Sequence, residues 1–333
     1  MSRRLLTAVT VLALVATACG GDDDAAPTTS SSTTSSSTTA SSTTATTTPP
    51  TQSAPTSAAA DAFPVTVNVG NGPVTIAAAP QRIMSLSPSL TEMLYAVGAG
   101  DQVGAVDKNS DFPAGAPVTD LSGFKPNVEA IAALTPDLVL VSGDRDGIVA
   151  ALGTVGIPTL LLPTATTLDD TFAQLATIGA ATGHVDAASA TVTAMREQID
   201  ALLAEVPERE APLTYFYELA DDGNTVTSST FIGNVLSLAG LTSIADPAPD
   251  AAGGYPQLGA EAVLAADPAF IFLAHSDGSA PTTDEIAARP GWSELQAVRD
   301  GHVVALDSDI ASRWGPRVVD LLAAVVAATR GTT

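Results

Sequence analysis

The chain has 333 residues, 45% of them hydrophobic, and carries 13 Lys and Arg against 36 Asp and Glu for a formal charge of −23. Such an acidic surface repels nucleic acid, so no nucleic-acid partner is expected. The single cysteine excludes an internal disulfide and leaves the fold to rest on its apolar core.

Residues 1–18 read as an export signal, with Arg3 and Arg4 ahead of a short apolar stretch from Leu5 to Ala18. Cys19 follows at once in Val-Ala-Thr-Ala-Cys-Gly, a placement that resembles a bacterial lipobox. That resemblance implies acylation of Cys19, an extracytoplasmic location on the cell membrane, and membrane contact through the lipid anchor only. From residue 19 to 62 the chain is rich in Ser, Thr, Pro and Ala and cannot bury enough surface to fold. It is expected to be a disordered tether, whose coil would span on the order of 35 to 40 Å.

The expected elements then follow in order. Runs at Val65–Val69 and Val74–Ala77 flank Gly70-Asn71-Gly72, which predicts a hairpin. Strands are expected at Arg82–Leu86, Val103–Val106, Leu138–Val141 and Thr159–Leu162, alternating with helices at Leu90–Val97, Val128–Leu134, Gly147–Val155 and Leu168–Ala181. Between His184 and Val206, apolar residues recur at three-, four- and seven-residue steps without Gly or Pro, the longest helical pattern in the chain. Alternation resumes with strands at Leu213–Tyr217, Phe270–Ala274 and His302–Leu306, and helices at Phe231–Leu238, Gly259–Ala265 and Pro316–Thr329. The pattern predicts an α/β protein of two halves, 63–183 and 209–330, joined by one long helix within 184–208.

Five segments carry a family likeness in the right order. Arg82-Ile-Met-Ser-Leu-Ser-Pro-Ser-Leu-Thr-Glu92 resembles the first strand, turn and helix of the cobalamin and ferric-siderophore periplasmic binding proteins. Asn109-Ser-Asp-Phe-Pro113, Pro126–Asp137, Leu258–Pro268 and Ser308–Arg317 are similar to later segments of the same family. The resemblance implies two Rossmann-like lobes, each a parallel sheet flanked by helices, joined by a rigid helix with the ligand cleft between them. It further implies no catalysis and no cofactor. The expected function is a monomeric substrate-binding lipoprotein that captures a metal chelate and delivers it to an ABC permease dimer with its ATPase.

Ligands of open α/β sheets lie at the carboxyl ends of the strands, so the loops there are the candidates. The resemblance places cleft contacts at Asn109, Phe124, Ser142, Tyr217, Tyr255 and Asp309, with Phe112 in the same loop as Asn109. Asn109 and Ser142 stand where the cobalamin binders carry aromatic residues, which widens the expected ligand from cobalamin to ferric siderophores. Arg145 and Arg313 offer planar donors to an anionic chelate, and Trp314 an aromatic face. Ser89 and Glu92 fit the spacing of a helix capping box. Glu129 and Glu261 sit early in equivalent helices, and in the family such acids dock the two permease subunits.

Other classes fit less well. A haem binder or a sensor or adhesin built on the same domain would share the cleft and tether. A hydrolytic enzyme lacks support, because there is no Gly-x-Ser-x-Gly turn. His184, His275 and His302 show no metal-ligand spacing. Asp107-x-Asn-x-Asp111 opens like a calcium loop but has Phe112 where glycine is required.

Overall fold

The computed structural model describes residues 62–248, 253–275 and 280–332; the expected signal segment, Cys19 and the tether up to residue 61 lie outside them. The chain opens with an antiparallel hairpin, β1 (Val65–Val69) and β2 (Gly72–Ile76), in which Val69 faces Gly72. Its turn is tied to the first lobe. The Gly70 N–H donates to Leu161 O at 2.8 Å, and the Asn71 side chain bonds Thr159 and Leu161 on an edge strand. The hairpin therefore blunts an exposed sheet edge.

The first sheet contains β3 (Ile83–Ser85), β4 (Val103–Val106), β5 (Leu138–Val141) and β6 (Thr159–Leu161), all parallel in the order β4-β3-β5-β6. Helices α1 (Pro88–Ala96), α2 (Val128–Ala133) and α3 (Ile148–Thr154) make its crossovers. The second sheet contains β7 (Leu213–Glu218), β8 (Leu241–Ser243), β9 (Phe270–Leu273) and β10 (Val303–Ala305), parallel in the order β10-β9-β7-β8. In both sheets the strands follow the same plan: the first strand is flanked by the second on one side and the third on the other. The helices of this half are α6 (Phe231–Leu238), α7 (Ala260–Ala266), α8 (Thr283–Ala287), α9 (Gln296–Arg299), α10 (Ser308–Ser312) and α11 (Val318–Thr329).

Between the sheets run α4 (Leu168–Thr182) and α5 (Val185–Leu203). The expected helix of 184–206 stops at Leu203, because Pro207 disfavours helical backbone just before it. The two helices pack closely at Gly179, where a Cβ would stand 2.4 Å from the Ala188 Cβ. Helix α5 also packs on α11 and α1, one from each half.

Period-two alternation sorts the strand residues between faces. Leu138 and Leu140, Tyr215 and Tyr217, and Phe270 and Phe272 point inward, into one apolar core that also contains Met195 and Ile199 of α5 and Val325 of α11. Val139 and Val141 face outward beneath Ile148 and Leu152. Phe216, Ile271 and Leu273 face outward beneath Val263 and Trp292. Covered on both faces, these strands read as unbroken apolar runs, as parallel strands do. The two sheets are separate, but their inner faces share a core through α5.

Candidate functional site

The first and third strands of the first sheet, β3 and β5, send their chains to opposite sides, and the loops beyond them leave a crevice. A cavity of about 580 Å³ occupies that place, within the roughly 300 to 1,000 Å³ of small-molecule sites. Leu86–Ser89 after β3, Asp107–Asn109 and Asp111 after β4, Gly123 and Phe124, and Ser142 and Arg145 after β5 form its walls. Asp309, Ser312, Arg313 and Trp314 close it from the second lobe.

Local structure fixes these walls. Ser87 stands at the N-cap of α1 and Pro88 at its first position, so Ser89 and Glu92 lie inside the helix and form no capping box. That expectation is corrected: the Ser89 hydroxyl accepts from the Trp314 N–H at 3.2 Å, and Glu92 is committed to arginines of the other lobe. At the end of β4, the buried Asp107 carboxylate accepts the Ser110 hydroxyl, and from the Gly123 N–H at 3.4 Å. Burial pushes the Asp107 carboxyl above its ordinary value, against the opposing pull of those hydrogen bonds and of Arg313. Gly123 has no room for a side chain, since a Cβ there would stand 2.2 Å from Leu86 O.

The expected ligand contacts divide. Asn109, Phe124, Ser142, Arg145, Asp309, Arg313 and Trp314 line the cavity. Phe124 is 64% exposed, and the Arg145 guanidinium lies 5.0 Å from its ring centre, so the pair forms an aromatic and cationic rim. Phe112 stands outside the lining, with the Arg317 guanidinium over its ring at 4.0 Å. Tyr255 is partly exposed and also outside the lining.

Tyr217 requires a correction. It is fully buried in β7, its hydroxyl donates to Ala311 O at 3.0 Å, and burial raises its pKa above the ordinary phenol value. It holds α10 rather than meeting the cavity. Arg313 lines the cavity with its guanidinium already donating to Glu92, Asp111 and Asp309 at 2.9, 3.0 and 2.7 Å, so its charge is matched within the protein. Trp314 both lines the cavity and is pinned, its indole N–H bonding Gln174 at 3.1 Å.

Residues that pattern reading missed include Lys108, which lines the cavity, and Arg317, which bonds Glu92. Two arginines four apart in a chain with 13 cations were the available signal.

Glu129 and Glu261 are exposed, each in the first turn of a helix, α2 and α7, one per lobe. A second, smaller hollow of about 310 Å³ lies within the second lobe near Glu218. There Glu218, Asp221 and His275 offer ligand atoms within 4.8 Å of one another. Arg289 already supplies the counter-charge, pairing with both Glu218 and Asp221.

The profile of the periplasmic binding protein family matches residues 83–310, and the chain belongs to that family. A cobalamin-binding protein of Halobacterium salinarum is 31% identical over 279 residues, covering 81% of this chain and 75% of its own. An uncharacterized ABC transporter substrate-binding lipoprotein of Bacillus subtilis is 30% identical over 276 residues, covering 78% and 83%. Among solved structures, the periplasmic vitamin B12 binding protein of Vibrio cholerae superposes with a TM-score of 0.63 at 26% identity, covering 76% of this chain and 99% of its own. This chain is accordingly a substrate-binding protein of the ABC-transporter type, with the two-lobed α/β architecture of its relatives.

Proposed function

We propose that the chain captures a metal chelate in the cavity between its lobes, a corrinoid of the cobalamin type first and a ferric siderophore second, and passes it to an ABC permease. The observation that carries this is the cavity's position: at the carboxyl ends of the first sheet, roofed by the α10 loop of the other lobe, with Phe124 exposed at its rim. An exposed aromatic face suits a flat, largely apolar ring system. The relatives named for cobalamin or vitamin B12 support the corrinoid.

In this reading Asn109, Ser142 and Asp309 supply polar contacts, and Arg145 with Lys108 meets any anionic group of the ligand. Neither cation forms an ion pair among the described residues, whereas Arg313 does. Glu129 and Glu261 dock the permease, one charge per lobe fixing orientation on a paired partner. Cys19 carries the lipid, and acyl labelling that survives Cys19→Ser would remove that anchor from the proposal.

Intrinsic fluorescence gives the test, because Trp314 lines the cavity while Trp292 is buried in the second lobe. Titration with cyanocobalamin is expected to quench Trp314, and Phe124→Ala to weaken binding about tenfold, the effect of losing roughly 1.4 kcal/mol of aromatic contact. Quenching by ferric hydroxamates or catecholates alone would move the ligand to the siderophores. No response to cyanocobalamin, haemin or any ferric siderophore would end the chelate reading.

A further inference from the structure

We infer that Glu92, bound by Arg313 and Arg317, is the positioning residue that sets the spacing of the two lobes around the cavity. Glu92 lies in α1 of the first lobe and is only 3% exposed. Every donor its side chain meets comes from the other lobe. Its Oε1 accepts from Arg313 at 2.9 Å and Arg317 at 2.6 Å, and its Oε2 accepts from the Arg317 Nε at 3.1 Å. A carboxylate so shielded from water is tolerated only while paired.

The arginines continue the connection. Arg313, itself 8% exposed, also donates to the Asp111 carboxylate at 3.0 Å and to Asn109 O at 3.3 Å, both on the loop after β4. Within its own lobe it bonds Asp309 at 2.7 Å. Beside this network the backbone closes up: Trp314 N–H reaches Ser89 Oγ at 3.2 Å, the Thr171 hydroxyl reaches Trp314 O at 3.0 Å, and a Cβ on Gly315 would lie 3.1 Å from Glu92 Oε2. A guanidinium–carboxylate pair of this geometry fixes both distance and angle. Separating the lobes would strip Glu92 of its donors while leaving most of its low-dielectric surroundings, so the network resists opening beside the cavity.

This assigns Glu92, Arg313 and Arg317 to holding the lobes at working distance, with ligand recognition left to Lys108, Asn109, Phe124, Ser142, Arg145 and Asp309. The consequence for ligand residence rests on the proposed chelate function, but the effect on lobe spacing does not.

The experiment uses the full chain and four variants: Glu92→Gln, which keeps the side-chain volume, Arg317→Gln, which removes the less buried partner, the two combined, and Arg317→Lys. Hydrogen exchange without ligand is expected to speed up in peptides covering 107–113 and 308–317 and to stay unchanged in β5 and β9. Cyanocobalamin is expected to dissociate about tenfold faster from Glu92→Gln, with Arg317→Gln adding little in the double variant and Arg317→Lys giving an intermediate rate. Unchanged exchange at both segments, or an equal rise across the whole chain, would overturn the assignment. Should Glu92→Gln not fold, Arg317→Gln alone decides by the same two readouts. Absence of cyanocobalamin binding by the unaltered protein would count against the ligand reading only, and the exchange pattern would still decide the role of Glu92.

Discussion

At Asp107, a carboxyl that burial holds above its ordinary range binds its proton more tightly in the folded chain than in the unfolded one. Its contribution to stability is therefore complete below the ordinary aspartate value and is lost as pH rises through the elevated folded value. Asp107→Asn is expected to flatten that part of the pH dependence in denaturant unfolding, from the ordinary aspartate value upward. The slope is the proper readout. Asn still accepts from Ser110 but turns an amide donor toward the Gly123 N–H, which costs stability at every pH. The same loop shows how far single residues are legible in sequence. Phe124, Ser142 and Arg145 follow from the rule that strand ends hold ligands, and the structure gathers all three at the cavity. Glu92 and Arg313 do not, because the partners are 221 residues apart and the local spacing of Ser89 and Glu92 imitates a helix cap. Tyr217 was open to a local reading, since an apolar run such as Leu213–Glu218 marks a strand covered on both faces.

Among the elements, α4 shows a capping box where local pattern and structure agree. The Thr167 hydroxyl accepts from the Asp170 N–H at 3.2 Å, and the Asp170 carboxylate accepts from the Thr167 N–H at 2.9 Å. Thr167→Ala is expected to cost about 1 kcal/mol, read as a lower denaturation midpoint with an unchanged m-value. The residues near this helix start also bridge the lobes, since Thr171 bonds the Trp314 backbone. Strands such as Val103–Val106 and Leu138–Val141 and the helix Phe231–Leu238 fall where pattern puts them, because the strands are short uncharged runs and Phe231, Ile232, Val235 and Leu236 recur at helical spacing. The structure adds β8, α8, α9 and α10, which the pattern does not announce. Each has five residues or fewer, too short for a hydrophobic period to repeat, and their backbone is fixed by tertiary contacts and by caps such as Asp307 and Thr282.

At the scale of the molecule, the inner faces of both sheets and α5 share one core, so lobe movement must shear packed side chains. Opening by a small angle is the motion this allows. It suits the proposed docking through Glu129 and Glu261, which needs the two acids at nearly constant separation. Glu129→Lys with Glu261→Lys is expected to abolish uptake through the permease while leaving the cyanocobalamin dissociation constant within about twofold, because both side chains are exposed and outside the cavity lining. A matching loss of affinity would instead make them part of the cleft. The alternation of strands and helices conveys two halves and a bridge, but a core continuous across both depends on which strand face turns inward, and buried parallel strands hide that in sequence. Gly123 carries a last implication, for how this receptor can change. With Gly123 pressed against Leu86 O, that part of the wall admits no side chain, whereas Asn109, Phe124 and Arg145 stand exposed along the lining. Under the proposed function, a change of cargo preference is therefore open at those exposed positions and closed at Gly123.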